Sequence, residues 1–173
     1  TFCEILPYNK FPEDDESVIG VILSGSPFSV YDKEAFKIDL DKIKGRYPVL
    51  GICYGAQYIA YTHGGKVEPA GTREYGRANL GMIDTNDPLF KGFVPNSQVW
   101  MSHGDEVHRV PEGFTQDAFS ESGVLASMSN VDKQLYGVQF HPEVKHSVYG
   151  QTWLKNFVFN VCKAQNNWKL EDF

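Results

Sequence analysis

The fold is decided by residues 48–57, whose sequence is Pro-Val-Leu-Gly-Ile-Cys-Tyr-Gly-Ala-Gln. The first half is a continuous apolar run, which is typical of a strand buried on both faces of a parallel sheet. The run leads directly into Cys53, and a helical pattern over 54–63 then stops at Gly64-Gly65. The stretch therefore predicts a buried strand, a sharp turn that carries a cysteine, and a helix.

The turn itself has the order G-x-C-x-G, with Gly51 and Gly55 on either side of Cys53. This is the cysteine counterpart of the G-x-S-x-G nucleophile elbow. A β-carbon at either glycine is expected to clash with neighbouring strands, and the helix N-terminus is expected to favour the thiolate. Taken alone, five positions fit a catalytic cysteine and a buried cysteine at a tight turn equally well.

Outside this stretch, apolar runs alternate with helical patterns, which predicts an α/β domain with a mainly parallel sheet and helices on both faces. The last helix is expected to turn Leu154, Phe157, Val158 and Val161 toward the sheet. The spacing between 66 and 110 predicts short antiparallel strands. The remaining predicted elements are strands at 18–23, 124–128 and 135–140, a hairpin turn at 130–133, and helices at 34–44 and 148–164.

The start of the chain departs from the usual order of a doubly wound sheet. Residues 2–6 read as a second strand, and no strand–helix unit precedes them. We therefore expect roughly 20 to 30 further N-terminal residues, the size of one such unit, in the natural protein.

Composition excludes several functional classes. The 173 residues fit one domain, and 16 basic against 22 acidic residues give a net charge of −6, which disfavours a nucleic-acid surface. No apolar run is long enough for a membrane span, and no signal peptide is visible. Three widely spaced cysteines favour free thiols in a reducing compartment, so we expect a cytoplasmic protein.

A second motif, Gly-Val-Gln-Phe-His-Pro-Glu, covers residues 137–143. It places His141 at a strand end and Glu143 two residues later, where a bend at Pro142 brings the carboxylate behind the ring. A carboxylate that accepts the imidazole N–H orients a general base. Seen alone, the pair also fits a strand-end histidine beside a solvated glutamate.

A third motif, Ser-Gly-Ser-Pro at residues 24–27, follows the predicted strand at 18–23. Its backbone N–H groups lie where an oxyanion could be held, although such a motif alone is merely a turn. No metal site is predicted, because the available His, Asp and Glu residues lack ligand spacing. Those residues are His103, Asp105, His108, His141, Glu143 and His146.

These motifs, together with Met-Ser-His-Gly-Asp at 101–105 and in this order, resemble the class I (triad) glutamine amidotransferases. The resemblance covers nearly the whole chain, and four ordered motifs are far more specific than any one. It implies a flavodoxin-like α/β fold from which the family's first strand and helix are absent. It also implies hydrolysis of glutamine to release ammonia.

Finer detail resembles the amidotransferase domains of GMP synthetases, both at residues 100–107 and at Arg73-Glu74-Tyr75-Gly76. Residues 167–173 look like the junction to an ATP-pyrophosphatase domain, so residues 1–166 would form the amidotransferase domain. The resemblance implies no cofactor here, and ATP and magnesium in the missing synthetase domain of the same polypeptide. It further implies a homodimer formed through that missing region, with no nucleic acid and no membrane as partner.

The resemblance implies a role for each matching position. Cys53 would be the nucleophile that forms a γ-glutamyl thioester, His141 the base that takes the thiol proton and then protonates the leaving ammonia, and Glu143 its orienting group. The amides of Tyr54 and Ser26 would form the oxyanion hole. The glutamine pocket would be lined by Gln57, Ser102, Gly104 and Asp105, with Phe28 closing the rim through its backbone.

One position departs from the family pattern Ser-Gly-Gly-Pro, because Ser26 replaces the second glycine. A positive φ there would strain Ser26 and leave the oxyanion hole partly formed. Among the other polar residues, His103 is expected to shape the loop, and Arg73 and Glu74 to lie at an interface. Cys3 and Cys162 are expected to be small buried hydrophobes.

Three functions remain open from the sequence. The leading one is glutamine-dependent GMP synthesis, in which this chain supplies ammonia to the synthetase domain. The alternatives are a stand-alone γ-glutamyl cysteine hydrolase or an amidotransferase subunit of another biosynthetic synthetase. A non-catalytic module on the same scaffold would be expected to lack part of the Cys53, His141 and Glu143 set, and all three are present.

Overall fold

A seven-stranded mixed sheet runs through the part of the chain that the computed structural model describes, residues 1–71 and 75–167. A separate two-stranded antiparallel sheet joins β3 and β6. The predicted interface residues Arg73 and Glu74 lie outside the described residues, as does all of the predicted junction after Asn167. The strands are β1 Val21–Leu23, β2 Val49–Ile52, β3 Lys66–Pro69, β4 Tyr75–Ile83, β5 Gln98–Ser102, β6 Asp105–Arg109, β7 Thr115–Ser120, β8 Leu125–Asn130 and β9 Leu135–Val138.

Two longer helices pack on this sheet. Helix α1 is Tyr54–Thr62, and helix α2 is Gly150–Lys155, which continues as a π-helix over Asn156–Val161. Short 3₁₀ helices occupy Leu40–Lys42 and Pro88–Phe90. Within the described residues, no helix combines the length and the apolar character needed to cross a bilayer.

The strand order is β1-β2-β9-β8-β7-β4-β5, and it corrects the expectation of a mainly parallel sheet. Only β1 with β2 and β2 with β9 are parallel, whereas the other four pairings are antiparallel. The cause is the short connections: the predicted turn after Asn130 joins β8 directly to β9, and a tight hairpin can only make an antiparallel pair. The sheet is therefore parallel only around the cysteine-bearing strand.

The core lies on both faces of the sheet, as the sequence predicts for an α/β domain. All four residues of β2 are buried, because helix α1 covers one face of the strand and α2 with its π-helical extension covers the other. The predicted sheet-facing residues of the last helix are confirmed: Phe157 and Val161 are in the core, and Leu154 and Val158 pack against it. Helix α1 also agrees with its prediction to within one residue.

The predicted strand at residues 2–6 does not form. Phe2 is 70% exposed and Ile5 is 96% exposed, and β1 is the edge of the sheet within the described residues. Without a ladder partner, an extended segment has neither the hydrogen bonds nor the burial that stabilise a strand. For the same reason Cys3 is exposed, which corrects the expectation that it is buried; Cys162 is partly buried.

The predicted helix at 34–44 is also wrong, apart from the single 3₁₀ turn Leu40–Lys42. Two tyrosines of α1 hold the backbone of this segment instead. The Tyr54 hydroxyl donates to the Phe36 carbonyl at 2.7 Å, and the Tyr58 hydroxyl both donates to and accepts from the Ile38 backbone. These bonds take backbone groups that a helix would use.

Candidate active site

Cys53 lies at the corner between β2 and α1, as the sequence predicts. Its N–H donates to the Val138 carbonyl of β9 at 2.8 Å, and its backbone has φ 53° and ψ −107°. A positive φ is uncommon for a residue with a β-carbon and costs free energy, so it persists only where the surroundings enforce it. The result is a side chain at the carboxyl end of the parallel strands, where open α/β sheets bind ligands.

The two flanking glycines enforce this corner by letting backbones approach closely. A β-carbon at Gly55 would lie 2.3 Å from the Leu23 carbonyl oxygen of β1, which confirms the predicted clash with a strand. A β-carbon at Gly51 would lie 2.4 Å from the Gly55 carbonyl carbon, so its clash is with the first turn of α1 and not with a strand. Both positions need glycine because of packing.

His141 reaches Cys53 from the far end of the chain. The strand β9 pairs with β2 in parallel, so the segment after β9 emerges beside the segment after β2. The imidazole lies beside the Cys53 side chain, since a β-carbon at Gly25 would be 3.4 Å from His141 Cε1 and 3.7 Å from Cys53 Cβ. Its Nδ1 lies 2.7 Å from Glu143 Oε1. The structure therefore brings together the three predicted triad side chains in the predicted order.

The charge state of the pair follows from these contacts. Hydrogen bonding to Cys53, and next to Glu143, raises the pKa of His141 to about 10 against the opposing effect of burial. Burial is the largest single effect and acts to raise the pKa of Glu143, but the hydrogen bond to His141, a backbone hydrogen bond and the charge of His141 together outweigh it, and the net shift is downward. His141 is thus an imidazolium at neutral pH, and the proton transfer from Cys53 to His141 stays a prediction.

The loop from Ser102 to Asp105 lies beside the sulfur. The Cys53 Sγ lies 3.5 Å from the Ser102 carbonyl oxygen. Ser102 and Gly104 are exposed and Asp105 is half-buried, as suits residues predicted to line a pocket. His103 is buried with its Nδ1 3.0 Å from the Asp105 carbonyl, in agreement with its predicted loop-shaping role.

Gln57 lies beneath that loop. It is 3% exposed, and its Nε2 donates to the Asp105 carbonyl at 2.8 Å. The amide of this residue therefore supports the loop from below, and its predicted place in the pocket lining stays a prediction.

The predicted oxyanion-hole donors are the backbone N–H groups of Tyr54 and Ser26, and their role stays a prediction. The Tyr54 N–H is at the first position of α1, where N–H groups have no acceptor within the helix. Ser26 is not among the described non-glycine residues with positive φ, so the strain considered for its replacement of glycine does not arise. Its Oγ accepts from the Phe28 N–H at 3.2 Å, which shapes the turn.

Two buried residues at the site have no counterpart among the sequence predictions. Ser147 accepts the Trp100 N–H and donates to the His141 carbonyl, so it ties the histidine to β5. Gln139 places Nε2 3.6 Å from the Cys53 Sγ. The available signal for Gln139 was a lone polar residue in the apolar run from 135 to 140.

A cysteine at a strand–helix corner, with an imidazole and a carboxylate in series, is the arrangement of a hydrolase with a cysteine nucleophile. The family model for class-I glutamine amidotransferases matches residues 2–161. The chain belongs to this family.

Within the family, the similar curated proteins carry one name. A GMP synthase [glutamine-hydrolyzing] of Phocaeicola vulgatus is 57% identical over 173 residues, which are 100% of this chain and 34% of that protein. The protein of the same name from Cytophaga hutchinsonii is 48% identical over 172 residues, 99% of this chain and 34% of that one. The chain thus spans about a third of the length of these relatives.

A solved structure supports the same grouping. A Thermoplasma acidophilum protein assigned as a GMP synthase subunit is 30% identical with a TM-score of 0.69. The match covers 86% of this chain and 74% of that one. The α/β class read from the sequence is confirmed by this likeness.

Proposed function

We propose that this chain is the glutamine-hydrolysing part of a GMP synthase. The observation that carries the proposal is the Cys53–His141–Glu143 series, in a chain matched along its full length by relatives of that name. The thiolate is the nucleophile, and the imidazolium beside it holds the proton that a leaving amine requires. The reaction class is therefore acyl transfer from an amide to sulfur.

The chemistry proceeds in two balanced halves. The Cys53 thiolate attacks the side-chain carbonyl carbon of glutamine, a C–S bond forms, and the tetrahedral oxyanion rests against the Tyr54 and Ser26 amides. The C–N bond then breaks as His141 donates its proton, so ammonia leaves and a γ-glutamyl thioester remains. His141 next takes a proton from water, the hydroxide attacks the thioester, and glutamate departs with the thiolate restored.

Substrate selection falls to the pocket between the 102–105 loop and the turn at 24–27. Ser102, Gly104 and Asp105 present backbone and side-chain polar groups at its wall, with Gln57 supporting them from below. Phe28 closes the rim through its backbone, and its ring packs edge-on against Phe36 at 5.3 Å between centroids.

The ammonia is passed to a synthetase domain of the same polypeptide. In this proposal residues 1–166 are the amidotransferase domain and residues 167–173 lead into an ATP-pyrophosphatase domain. That domain uses ATP and magnesium to adenylate xanthosine monophosphate, and ammonia then displaces the adenylate to give GMP. The same domain also supplies the contacts that form a homodimer. The lack of pairing among the three cysteines supports a cytoplasmic setting.

Replacement of Cys53 by alanine in the complete polypeptide tests this division of labour. We expect Cys53→Ala to abolish GMP formation driven by glutamine and to leave GMP formation from added ammonium salts within about twofold, because the two reactions use separate sites. The measurement is the steady-state rate of GMP formation from xanthosine monophosphate and ATP with each nitrogen donor.

Two outcomes would contradict the proposal. Loss of both activities in a folded Cys53→Ala protein would refute the separation of the two sites. Glutamine hydrolysis without any nucleotide product, unaffected by xanthosine monophosphate and ATP, would instead indicate a stand-alone γ-glutamyl hydrolase or the subunit of another synthetase.

A further inference from the structure

Gln139 is a buried amide beside the sulfur that the proposed triad does not use. It follows β9 directly, is 3% exposed, and places Nε2 3.6 Å from the Cys53 Sγ. A buried amide needs hydrogen-bond partners, since leaving one of its groups unsatisfied costs free energy. The side-chain oxygen of Gln139 therefore needs a hydrogen-bond donor as well.

The orientation of the Gln139 side-chain amide follows from a backbone acceptor that is connected to it through two hydrogen bonds. The Asp105 carbonyl can only accept, so the end of Gln57 that lies 2.8 Å from it must be the NH₂ group. The second N–H of that group lies 3.2 Å from the Gln139 side chain, which must therefore present its oxygen there. The Gln139 NH₂ group is left facing the sulfur, so the series assigns each amide without ambiguity.

This orientation discriminates between the two forms of Cys53. A donated N–H stabilises a thiolate, because the acceptor is charged and the surroundings are of low dielectric constant. The Ser102 carbonyl at 3.5 Å from the sulfur accepts an S–H but repels an S⁻. The amide of Gln139 is thus a neighbour of the sulfur that favours the charged form, whereas the carbonyl favours the thiol.

We propose that Gln139 is a further catalytic residue, which donates to the Cys53 thiolate and holds it for attack, and that Gln57 is a positioning residue that fixes the amide of Gln139. The inference rests on the proposed function for its view of Cys53 as nucleophile. It also links the pocket wall to the nucleophile, because the series runs from the 102–105 loop through Gln57 and Gln139 to the sulfur.

The test uses Gln139→Met, which keeps the length and removes the donor, and Gln139→Glu, which keeps the shape and places a carboxylate at the sulfur. In the complete polypeptide we expect alkylation of Cys53 by iodoacetamide, followed by mass spectrometry of its peptide, to reach half its maximal rate about one pH unit higher in Gln139→Met. In Gln139→Glu the pH of half-maximal alkylation should shift further in the same direction.

For glutamine hydrolysis, kcat should fall about tenfold in Gln139→Met while KM stays within about threefold.

The positioning role of Gln57 is tested by adding Gln57→Met to Gln139→Met. Because both act through one hydrogen-bond series, the double variant should alkylate Cys53 about as fast as Gln139→Met alone. Ser127→Ala is the matched control, since Ser127 is 2% exposed and donates to the Gly137 carbonyl on the same sheet. Its alkylation profile should equal that of the unchanged protein.

An unchanged alkylation profile in either folded Gln139 variant would overturn the inference, as would an equal shift in Ser127→Ala. If one variant fails to fold, the other decides. If Cys53 is alkylated with the expected pH dependence in every variant but the unchanged protein does not hydrolyse glutamine, the proposed function is overturned. The role of Gln139 at the sulfur would then stand.

Discussion

Cys53 is held in a left-handed conformation, with φ at 53°, by neighbours on both sides. Its N–H donates to the Val138 carbonyl, and Gly55 lies close against the β1 backbone, which leaves α1 no room to shift toward β1. Strain of this kind costs about 1–3 kcal/mol and is retained where it fixes a functional group.

The carboxylate of Glu143 is predicted to set the alkaline limit of activity. The pKa of His141 is about 10 in the folded chain, above its value in the unfolded chain. Protonation of His141 therefore stabilises the fold below about pH 6.5, and this contribution to the free energy of unfolding is lost as pH rises through 10. Glu143→Gln keeps an acceptor but removes its charge. We expect the alkaline limb of the pH–rate profile for glutamine hydrolysis to move to lower pH and kcat to fall about tenfold.

Glu112→Gln is the control for that experiment, since it makes the same chemical change on an exposed loop. Its profile should match that of the unchanged protein. Coincident alkaline limbs in Glu143→Gln and the unchanged protein would remove Glu143 from the triad and leave it a solvated surface residue.

The sequence could predict the juxtaposition of Cys53, His141 and Glu143, because each residue lies in a motif with a recognisable strand end. It could not predict Gln139 or Ser147. Their importance comes from which backbone groups the fold brings within hydrogen-bond distance, and a single amide or hydroxyl in an apolar segment has no spacing pattern that reveals this.

Among the elements, helix α1 and strand β1 are in unusually close contact. The clash that a β-carbon at Gly55 would make is with backbone, which cannot rotate away as a flexible side chain can. Alanine is favoured over glycine in helices by about 1 kcal/mol, but overpacking typically costs about 1–3 kcal/mol and a clash with backbone falls at the upper end. The packing effect should therefore prevail.

We predict that Gly55→Ala lowers the free energy of unfolding by about 2 kcal/mol and reduces glutamine hydrolysis at least tenfold, since moving α1 displaces Cys53. Chemical denaturation and steady-state kinetics provide the two measurements. Gly71→Ala is the matched control, because a β-carbon there meets no atom of the described residues within 4 Å. A Gly55→Ala protein as stable as Gly71→Ala would contradict the close contact.

Elements whose stability is local were predicted well, whereas those that depend on tertiary partners were not. Helix α1 has its own stop signal at Gly64 and agrees with the prediction. The segment 34–44 has helical spacing but gives its backbone groups to tyrosine hydroxyls, which no local pattern reveals. The direction of strand pairing similarly depends on connection length across the whole sheet.

At the scale of the whole molecule, two buried carboxyl groups outside the triad, one before the 3₁₀ helix Pro88–Phe90 and one on the sheet, influence each other's ionisation. Asp87, which precedes the 3₁₀ helix Pro88–Phe90, is 4% exposed, and Asp117 of β7 is 1% exposed. Burial, with a contribution from the Asp117 charge, raises the pKa of Asp87 to about 7. Burial likewise raises the pKa of Asp117, so below about pH 7 a proton on Asp87 is favoured beside this second buried carboxyl.

This pair predicts how the stability of the whole chain changes with pH. Because the folded chain binds a proton that the unfolded chain releases near pH 4, the free energy of unfolding should fall between about pH 4 and pH 7. Asp87→Asn mimics the protonated form and should raise the free energy of unfolding at pH 8 by on the order of 2 kcal/mol. Urea denaturation at pH 5 and pH 8 measures the difference.

The exposed hairpin residue Asp132 supplies the comparison for that variant. Asp132→Asn removes the same charge and should leave the pH dependence unchanged within about 0.5 kcal/mol. An Asp87→Asn protein that is less stable than the unchanged one at pH 8 would mean that Asp87 is ionised in the folded chain and that its other partners stabilise the charge.

The register between β2 and β9 has a consequence for how the enzyme comes into being. Val49 is paired with Leu135, so β2, which leads into the nucleophile, and its neighbour β9 are separated by about half of the chain. Contacts of such high contact order form late, after the intervening loops have closed. A nascent chain that has emerged only through α1 carries the thiol but neither the imidazole nor the amide that flank it. The groups that activate its sulfur are therefore in place only when synthesis has passed Glu143.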